Sequence, residues 1–243
     1  MRFNILIFFT FVHFGLFSQD ILEKIEVKKI SDNVYTHTTY GKVGEKIYPA
    51  NGMFVIGKNG IVLIDTPWDS NQTRKLLEKI EHDYGKKVKQ FVPTHSHRDR
   101  MGGIDVILEN DIPVVISKKT YSLAKDQYDL SKVKKQRIRK KMKVSMDDVS
   151  LQIYYPGHGH TIDNLIVYNP KDQILFGGCF IKSAGAKHMG YIKEANLKKW
   201  GKSLREVQNE FKHTQYVIPG HGSVGGLELI PHTIALIEKE ESK

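Results

Sequence analysis

The sequence holds one cysteine, Cys179, in 243 residues. A lone thiol excludes an internal disulfide framework. Two readings of Cys179 remain: a buried core residue or a thiolate metal ligand. Long apolar runs are also scarce. The one extended run, Phe3 to Phe17, follows the basic start Met1-Arg2 and precedes "FSQD". It is too short for a membrane span and reads as a secretory signal peptide. Cleavage is expected after Ser18, so residues 1–18 form the signal and residues 19–243 a soluble domain exported to the periplasm, without stable membrane insertion. Low-complexity linkers and short repeats are absent, so nothing divides that domain.

Acidic residues are outnumbered, 27 against 37 basic ones, which gives a net charge of +10. The basic residues concentrate in "SKVKKQRIRKKMKVS", Ser131 to Ser145. This run lacks aromatic residues to stack on bases, so nucleic acid is not an expected partner. It is expected to form a solvated helical face, within helical segments that extend through Lys141.

Strand and helix signals alternate through the chain. "VYTHTTY", "GMFVIGKN" and "GIVLIDT" are rich in β-branched and aromatic residues and bounded by turn residues, so they read as strands. Lys58-Asn59-Gly60 reads as a hairpin turn, because Asn-Gly tolerates positive φ. Asp69 can cap a helix, with Gln72 in capping-box position and Gly85 as the stop. "KVKQFVPT" is a further strand, followed by a helix near Gly103–Asn110 and the strand "PVVIS". The second half repeats this style with "VSLQIYYP", "NLIVYNP", "DQILFGG" and "QYVIPG". One helix carries Leu197, Trp200, Leu204, Val207 and Phe211 on one face, and a last helix carries Ile230, Ile234 and Ile237. Hairpins imply mixed sheets, and the helices must cover outer faces. The expected fold is a single-domain helix–sheet–sheet–helix (αββα) sandwich of the α+β class.

Metal-ligating residue types recur at strand ends, each beside glycine. They are His95, His97 and Asp99 in "PTHSHRDRMGG", His158, His160 and Asp163 in "PGHGHTIDN", Cys179 and Lys182 in "FGGCFIKS", and His221 in "VIPGHGS". Imidazole, thiolate and one carboxylate suit zinc. Three histidines plus a water make a tetrahedral site with an open position, and Asp, Cys, His and a water make a second. Such a pair, about 4 Å apart, is the usual geometry of dinuclear hydrolysis. His160 is the better-placed ligand of its pair with His158. Histidines 13, 37, 82, 188, 213 and 232 have no comparable context and read as ordinary.

These motifs resemble class B metallo-β-lactamases, in the subclass with a three-histidine zinc site and an Asp-Cys-His zinc site. "LIDTPWDSNQT" and "GMFVIG" match in style, and the resemblance covers nearly the whole mature chain. It implies two Zn2+ per chain, one held by His95, His97 and His160, the other by Asp99, Cys179 and His221. It also implies zinc-dependent hydrolysis of the β-lactam amide of penicillins, cephalosporins and carbapenems by a monomer. Asp99 would orient the nucleophile, Lys182 would bind the substrate carboxylate, and Asp65 would support the ligands from behind. Tyr191 aligns with an asparagine that family members often carry, and would donate its phenol to substrate or line the pocket. The family's mobile flap would fall at Tyr40 to Pro49, with Ile47 and Tyr48 as apolar contacts.

Alternatives are another hydrolase of the same fold (glyoxalase II-like or phosphodiesterase-like) or a non-catalytic periplasmic zinc-binding protein. The hydrolases resemble His-x-His-x-Asp-His, where this chain has Arg100, and bridge their metals with an aspartate, where it has Cys179. "SLAK", "SKVK" and "SDN" look like pieces of a serine β-lactamase, but their order is wrong and no Lys-Thr-Gly occurs.

Overall fold

The computed structural model describes residues 20–243. The expected signal peptide lies outside the described residues. Eleven-residue strand β3 (Lys46–Ile56) shows why the chain forms layers. Its Met53 and Val55 join one apolar cluster and Phe54 another, as period-2 alternation requires. Both faces of the strand are therefore covered.

The first sheet has the order β1-β2-β3-β4-β5. Its other strands are β1 (Glu26–Lys29), β2 (Val34–Val43), β4 (Ile61–Ile64) and β5 (Val88–Val92). Pairing is antiparallel except between β4 and β5, which run parallel. A parallel step needs a crossover, and helix α1 (Ser70–Tyr84) supplies it. Asp69 caps α1 by accepting from the Gln72 amide, and Gly85 ends it at φ 63°. The capping box is not reciprocal. The Gln72 amide group instead donates to the carbonyls of Leu22 and Tyr40, which ties α1 to the sheet edge.

The second sheet has the order β12-β11-β10-β9-β8. It comprises β8 (Lys141–Met146), β9 (Val149–Tyr154), β10 (Ile166–Asn169), β11 (Ile174–Gly178) and β12 (Tyr216–Pro219). Again one pair, β11 with β12, is parallel, and helix α5 (Leu197–Glu210) makes the crossover. Between the halves lie α2 (Arg98–Met101), α3 (Ile104–Glu109), β6 (Ile116–Ser117), α4 (Lys118–Ala124) and β7 (Lys135–Gln136); α6 (Leu229–Glu241) ends the chain.

Three buried clusters fill the layers. Met53, Val55, Val62 and Ile64 face Leu151, Ile153, Val167 and Phe176 between the sheets. Leu76 and Ile80 of α1, with Ile104 and Ile107 of α3, cover the outer face of the first sheet. Trp200, Leu204 and Val207 of α5, with Ile230 and Ile237 of α6, cover the second. The expected αββα sandwich is observed.

One local expectation fails, and a second holds without its expected backbone conformation. The basic stretch is not helical: α4 ends at Ala124, and Lys135–Gln136 and Lys141–Met146 are strands. Its period is two, with Met142 and Val144 on the inter-sheet core and Arg139, Lys141 and Lys143 exposed. The Lys58–Gly60 hairpin forms, closed by the Gly57 amide on the Gly60 carbonyl. Neither Asn59 nor Gly60 takes a positive φ there. The expected flap, Tyr40 to Pro49, is a paired β2–β3 hairpin that turns at Gly44, φ 59°.

Candidate metal centre

Loops leaving β5, β9, β11 and β12 converge on one edge of the sandwich. The first carries His95, His97 and Asp99, and it is held from two sides. Asp65, at the end of β4, accepts from the Thr94 amide at 2.7 Å and the Thr94 hydroxyl at 2.9 Å. Asp163 accepts from the Ser96 amide at 2.9 Å. The His160 loop is organised by Asn164. Its Oδ1 accepts from the Gly159 and Thr161 amides, and its Nδ2 donates to the Gly157 carbonyl.

Cys179 follows Gly178, whose φ of 52° favours glycine. His221 follows Gly220, where a Cβ would lie 2.6 Å from the Cys179 amide nitrogen. Only glycine permits that approach. Asn51 of β3 then fixes the His221 loop by donating to the carbonyls of Pro219 and Gly222.

Two triads result. His97 Nδ1 lies 3.2 Å from His95 Nε2 and 3.3 Å from His160 Nε2. A tetrahedral zinc with ordinary Zn–N lengths spaces its nitrogen ligands about 3.3 Å apart. In the second triad, Cys179 Sγ lies 3.5 Å from Asp99 Oδ2 and 3.3 Å from His221 Nε2, and Asp99 Oδ2 lies 3.2 Å from His221 Nε2. These separations also suit a tetrahedral ion with one sulfur ligand. His95 also lies within 4.8 Å of Asp99 and Cys179, so the triads adjoin. Donor chemistry and spacing both fit zinc.

The electrostatics favour ligand forms in the first triad. Burial, then the neighbouring His97 and His160, hold His95 well below the usual imidazole range. Burial, then Lys182 and His97, does the same for His160. Both imidazoles are thus neutral and able to coordinate. In the second triad, burial alone would lower His221, but Cys179 and Asp99 outweigh it and raise its pKa to about 9. Burial would raise Asp99, but Arg100 and His221 overcome it and hold the carboxyl well below its ordinary value.

Arg100, whose role the sequence leaves open, is part of the site. Its guanidinium is fully buried. Nη2 lies 2.8 Å from Asp99 Oδ2 and 2.9 Å from Cys179 Sγ, and donates to the Gly220 carbonyl at 2.9 Å. Nη1 donates to the Asn51 carbonyl at 2.6 Å and lies 3.5 Å from Asp65. A permanent cation therefore braces the ligand triangle of Asp99, Cys179 and His221.

The other sequence-derived candidates are nearby. Lys182 is half-buried, with its ammonium 5.4 Å from the centroid of the Trp200 ring. Burial lowers its pKa, and it has no carboxylate partner among the described residues. Tyr191 is 51% exposed at the mouth, with its ring edge-on to His97. Its hydroxyl donates to Glu194 rather than pointing free. His158 is outside the cluster and donates to the Glu194 carbonyl. His37, read as ordinary, is buried behind the site and donates to the Asp65 carbonyl at 3.1 Å. Its position on β2, opposite Gly52, gave no local signal.

The sequence profile of the metallo-beta-lactamase superfamily matches residues 47–221. A curated relative, the metallo-beta-lactamase type 2 of Elizabethkingia meningoseptica, is 36% identical over 93% of this chain and 90% of its own length. The metallo-beta-lactamase type 2 of Bacteroides fragilis is 35% identical over 91% of this chain and 89% of its own length. A solved structure, the metallo-beta-lactamase from Pontibacter korlensis, superposes with a TM-score of 0.82 at 35% identity, covering 88% of this chain and 99% of that one.

Proposed function

The chain belongs to the metallo-β-lactamase superfamily, and on that premise we propose that it hydrolyses the β-lactam amide of penicillins, cephalosporins and carbapenems, conferring resistance to them. The observation that carries this reading is the pair of adjoining triads, the second containing Cys179 and backed by Arg100. Arg100 stands where related hydrolases of other function resemble a further histidine ligand, so this chain draws on a thiolate instead.

In this reading His95, His97 and His160 hold one zinc, and Asp99, Cys179 and His221 hold a second. Bound zinc would supply Lewis acidity and bring the pKa of a water to about 7. The protein's own residues do the rest. Lys182 captures the substrate carboxylate, because its ammonium is unpaired, partly desolvated and close to His160. Asp99 turns Oδ2 toward Cys179 and His221, and its carboxylate orients the nucleophile. Tyr191 contributes its ring as a wall, since its hydroxyl is engaged by Glu194. The β2–β3 hairpin presents Ile47, half-buried, and Tyr48, exposed, as apolar contacts for substrate.

The protein acts as a monomer in the periplasm after removal of residues 1–18. Among the described residues no helix is long and apolar enough to cross a membrane. Two assays test the reading. Purified mature protein should open β-lactam rings with zinc and lose that activity on chelation; absence of zinc-dependent turnover on all three substrate classes would end the proposal. Mass analysis of the periplasmic fraction should give a chain beginning at Gln19.

A further inference from the structure

We propose that Glu194, held by Tyr191, is a positioning residue for the three-histidine site: it aims His97 and ties together two ligand-bearing loops. The proposal rests on the reading of that triad as a metal site. His97 turns Nδ1 toward His95 and His160. Its Nε2 therefore carries the hydrogen, and Glu194 Oε2 accepts it at 3.2 Å. Glu194 Oε1 accepts from the Tyr191 hydroxyl, also at 3.2 Å. Both carboxylate oxygens are thus engaged, and the Tyr191 ring lies edge-on to His97 at 5.6 Å.

The backbone of the same segment grips the other loop. The Glu194 carbonyl accepts from His158 Nε2 at 2.8 Å, and the Asn196 amide donates to the Gly159 carbonyl at 2.9 Å. Glu194 therefore links the loop after β5, which carries His97, to the loop after β9, which carries His160. The need is specific to His97. His95 and His160 are buried, and packing fixes their rings. The His97 side chain is 23% exposed, and on its outer side it meets, among the described residues, only Glu194 and the edge-on Tyr191 ring.

An exposed ion pair by itself contributes little to stability. A carboxylate on the outer nitrogen of a metal-bound histidine acts differently: it fixes tautomer and ring orientation and raises ligand basicity, commonly worth 10–100-fold in metal affinity. The same chain of contacts explains why Tyr191, at the mouth of the site, does not offer its phenol to substrate.

The test uses metal-free mature protein titrated with cobalt(II), whose ligand-field bands report the histidine site and whose thiolate charge-transfer band reports Cys179. Glu194→Ala should weaken cobalt binding at the histidine site by about tenfold or more and shift its ligand-field bands, while the thiolate band is retained. Glu194→Gln, which keeps an acceptor without the charge, should restore part of the loss. Tyr191→Phe should show a smaller loss of the same sign. Histidine-site affinity and bands identical to wild type in both Glu194→Ala and Tyr191→Phe would overturn the proposal. Failure of the wild-type histidines to bind cobalt would overturn the metal-site reading itself, and this proposal with it.

Discussion

Arg100 faces three groups that are anionic or become so on binding metal: Asp65, Asp99 and Cys179. Removing one member of a buried charge cluster typically costs about 3–5 kcal/mol, because the partners stay buried and uncompensated. Arg100→Met should therefore lower the melting temperature of metal-free protein by on the order of 10 °C. Zinc should recover part of that loss, since a second cation enters the same triangle. A metal-free variant that melts like wild type would remove Arg100 from its bracing role. Lys182→Ala should raise KM with metal content unchanged. Retention of wild-type KM would mean another group holds the substrate carboxylate. His37 predicts a pH effect. Burial lowers its pKa from 6.5 to about 4. The unfolded chain takes up a proton as pH falls through 6.5, whereas the folded protein does not until about 4. Stability is thus lost as pH falls across that window, by about 3 kcal/mol in total. His37→Asn should flatten this part of the stability profile between pH 7 and 4.5, and an unchanged slope would contradict it. The ligand types were legible in the sequence because their spacing is local: His95, His97 and Asp99 fall within five residues. The roles of Arg100, Asn51 and Glu194 are not legible locally, because their meaning lies in partners far along the chain. Arg100 meets His221, 121 residues away, and Glu194 meets His97, 97 residues away.

Elements position these residues through close backbone approaches. Gly102 ends α2, where a Cβ would stand 2.0 Å from the Trp68 carbonyl oxygen. That neighbour is backbone and has no room to yield. Gly102→Ala should push α2, and with it Asp99 and Arg100, off their partners. The expected cost is about 1–3 kcal/mol in stability, with weaker metal binding at the Asp-Cys-His triad measured by competition with a chelator. Full metal affinity in this variant would show that α2 does not set the triad. The helices were readable where caps and stripes coincide, as at Asp69 and Gly85 for α1. The basic stretch carries a helix-like charge density, but its period is that of a strand. The Lys-Met-Lys-Val alternation of Lys141–Val144 is that of an edge strand, and lysines suit an unpaired edge.

At the scale of the molecule the two halves share a plan. Four antiparallel strands, a crossover helix and a parallel fifth strand occur as β1–β4, α1, β5 and again as β8–β11, α5, β12. Corresponding strand ends carry corresponding residues: Asp65 and the His95 loop in the first half, Cys179 and His221 in the second. The centre sits where these ends meet, so its residues come from both halves. The sandwich was legible because alternating strand and helix signals require covered sheets. The meeting of the halves was legible only through the family resemblance, since local periodicity carries no information about which strand ends face each other. Metal should couple the halves. Zinc at a thousandfold excess over its dissociation constant adds about 4 kcal/mol of stability, so chelation should lower the melting temperature of the whole domain in one transition. A chelator-insensitive melt would mean that the strand ends are held without it.

The most direct test of the account is ring opening by metal-stripped mature protein as zinc is returned. Hydrolysis of a penicillin, a cephalosporin and a carbapenem should be absent without metal. It should rise with added zinc and reach a plateau at two equivalents, and at one in Cys179→Ser. Zinc bound at both triads with no turnover of any of the three would contradict the account.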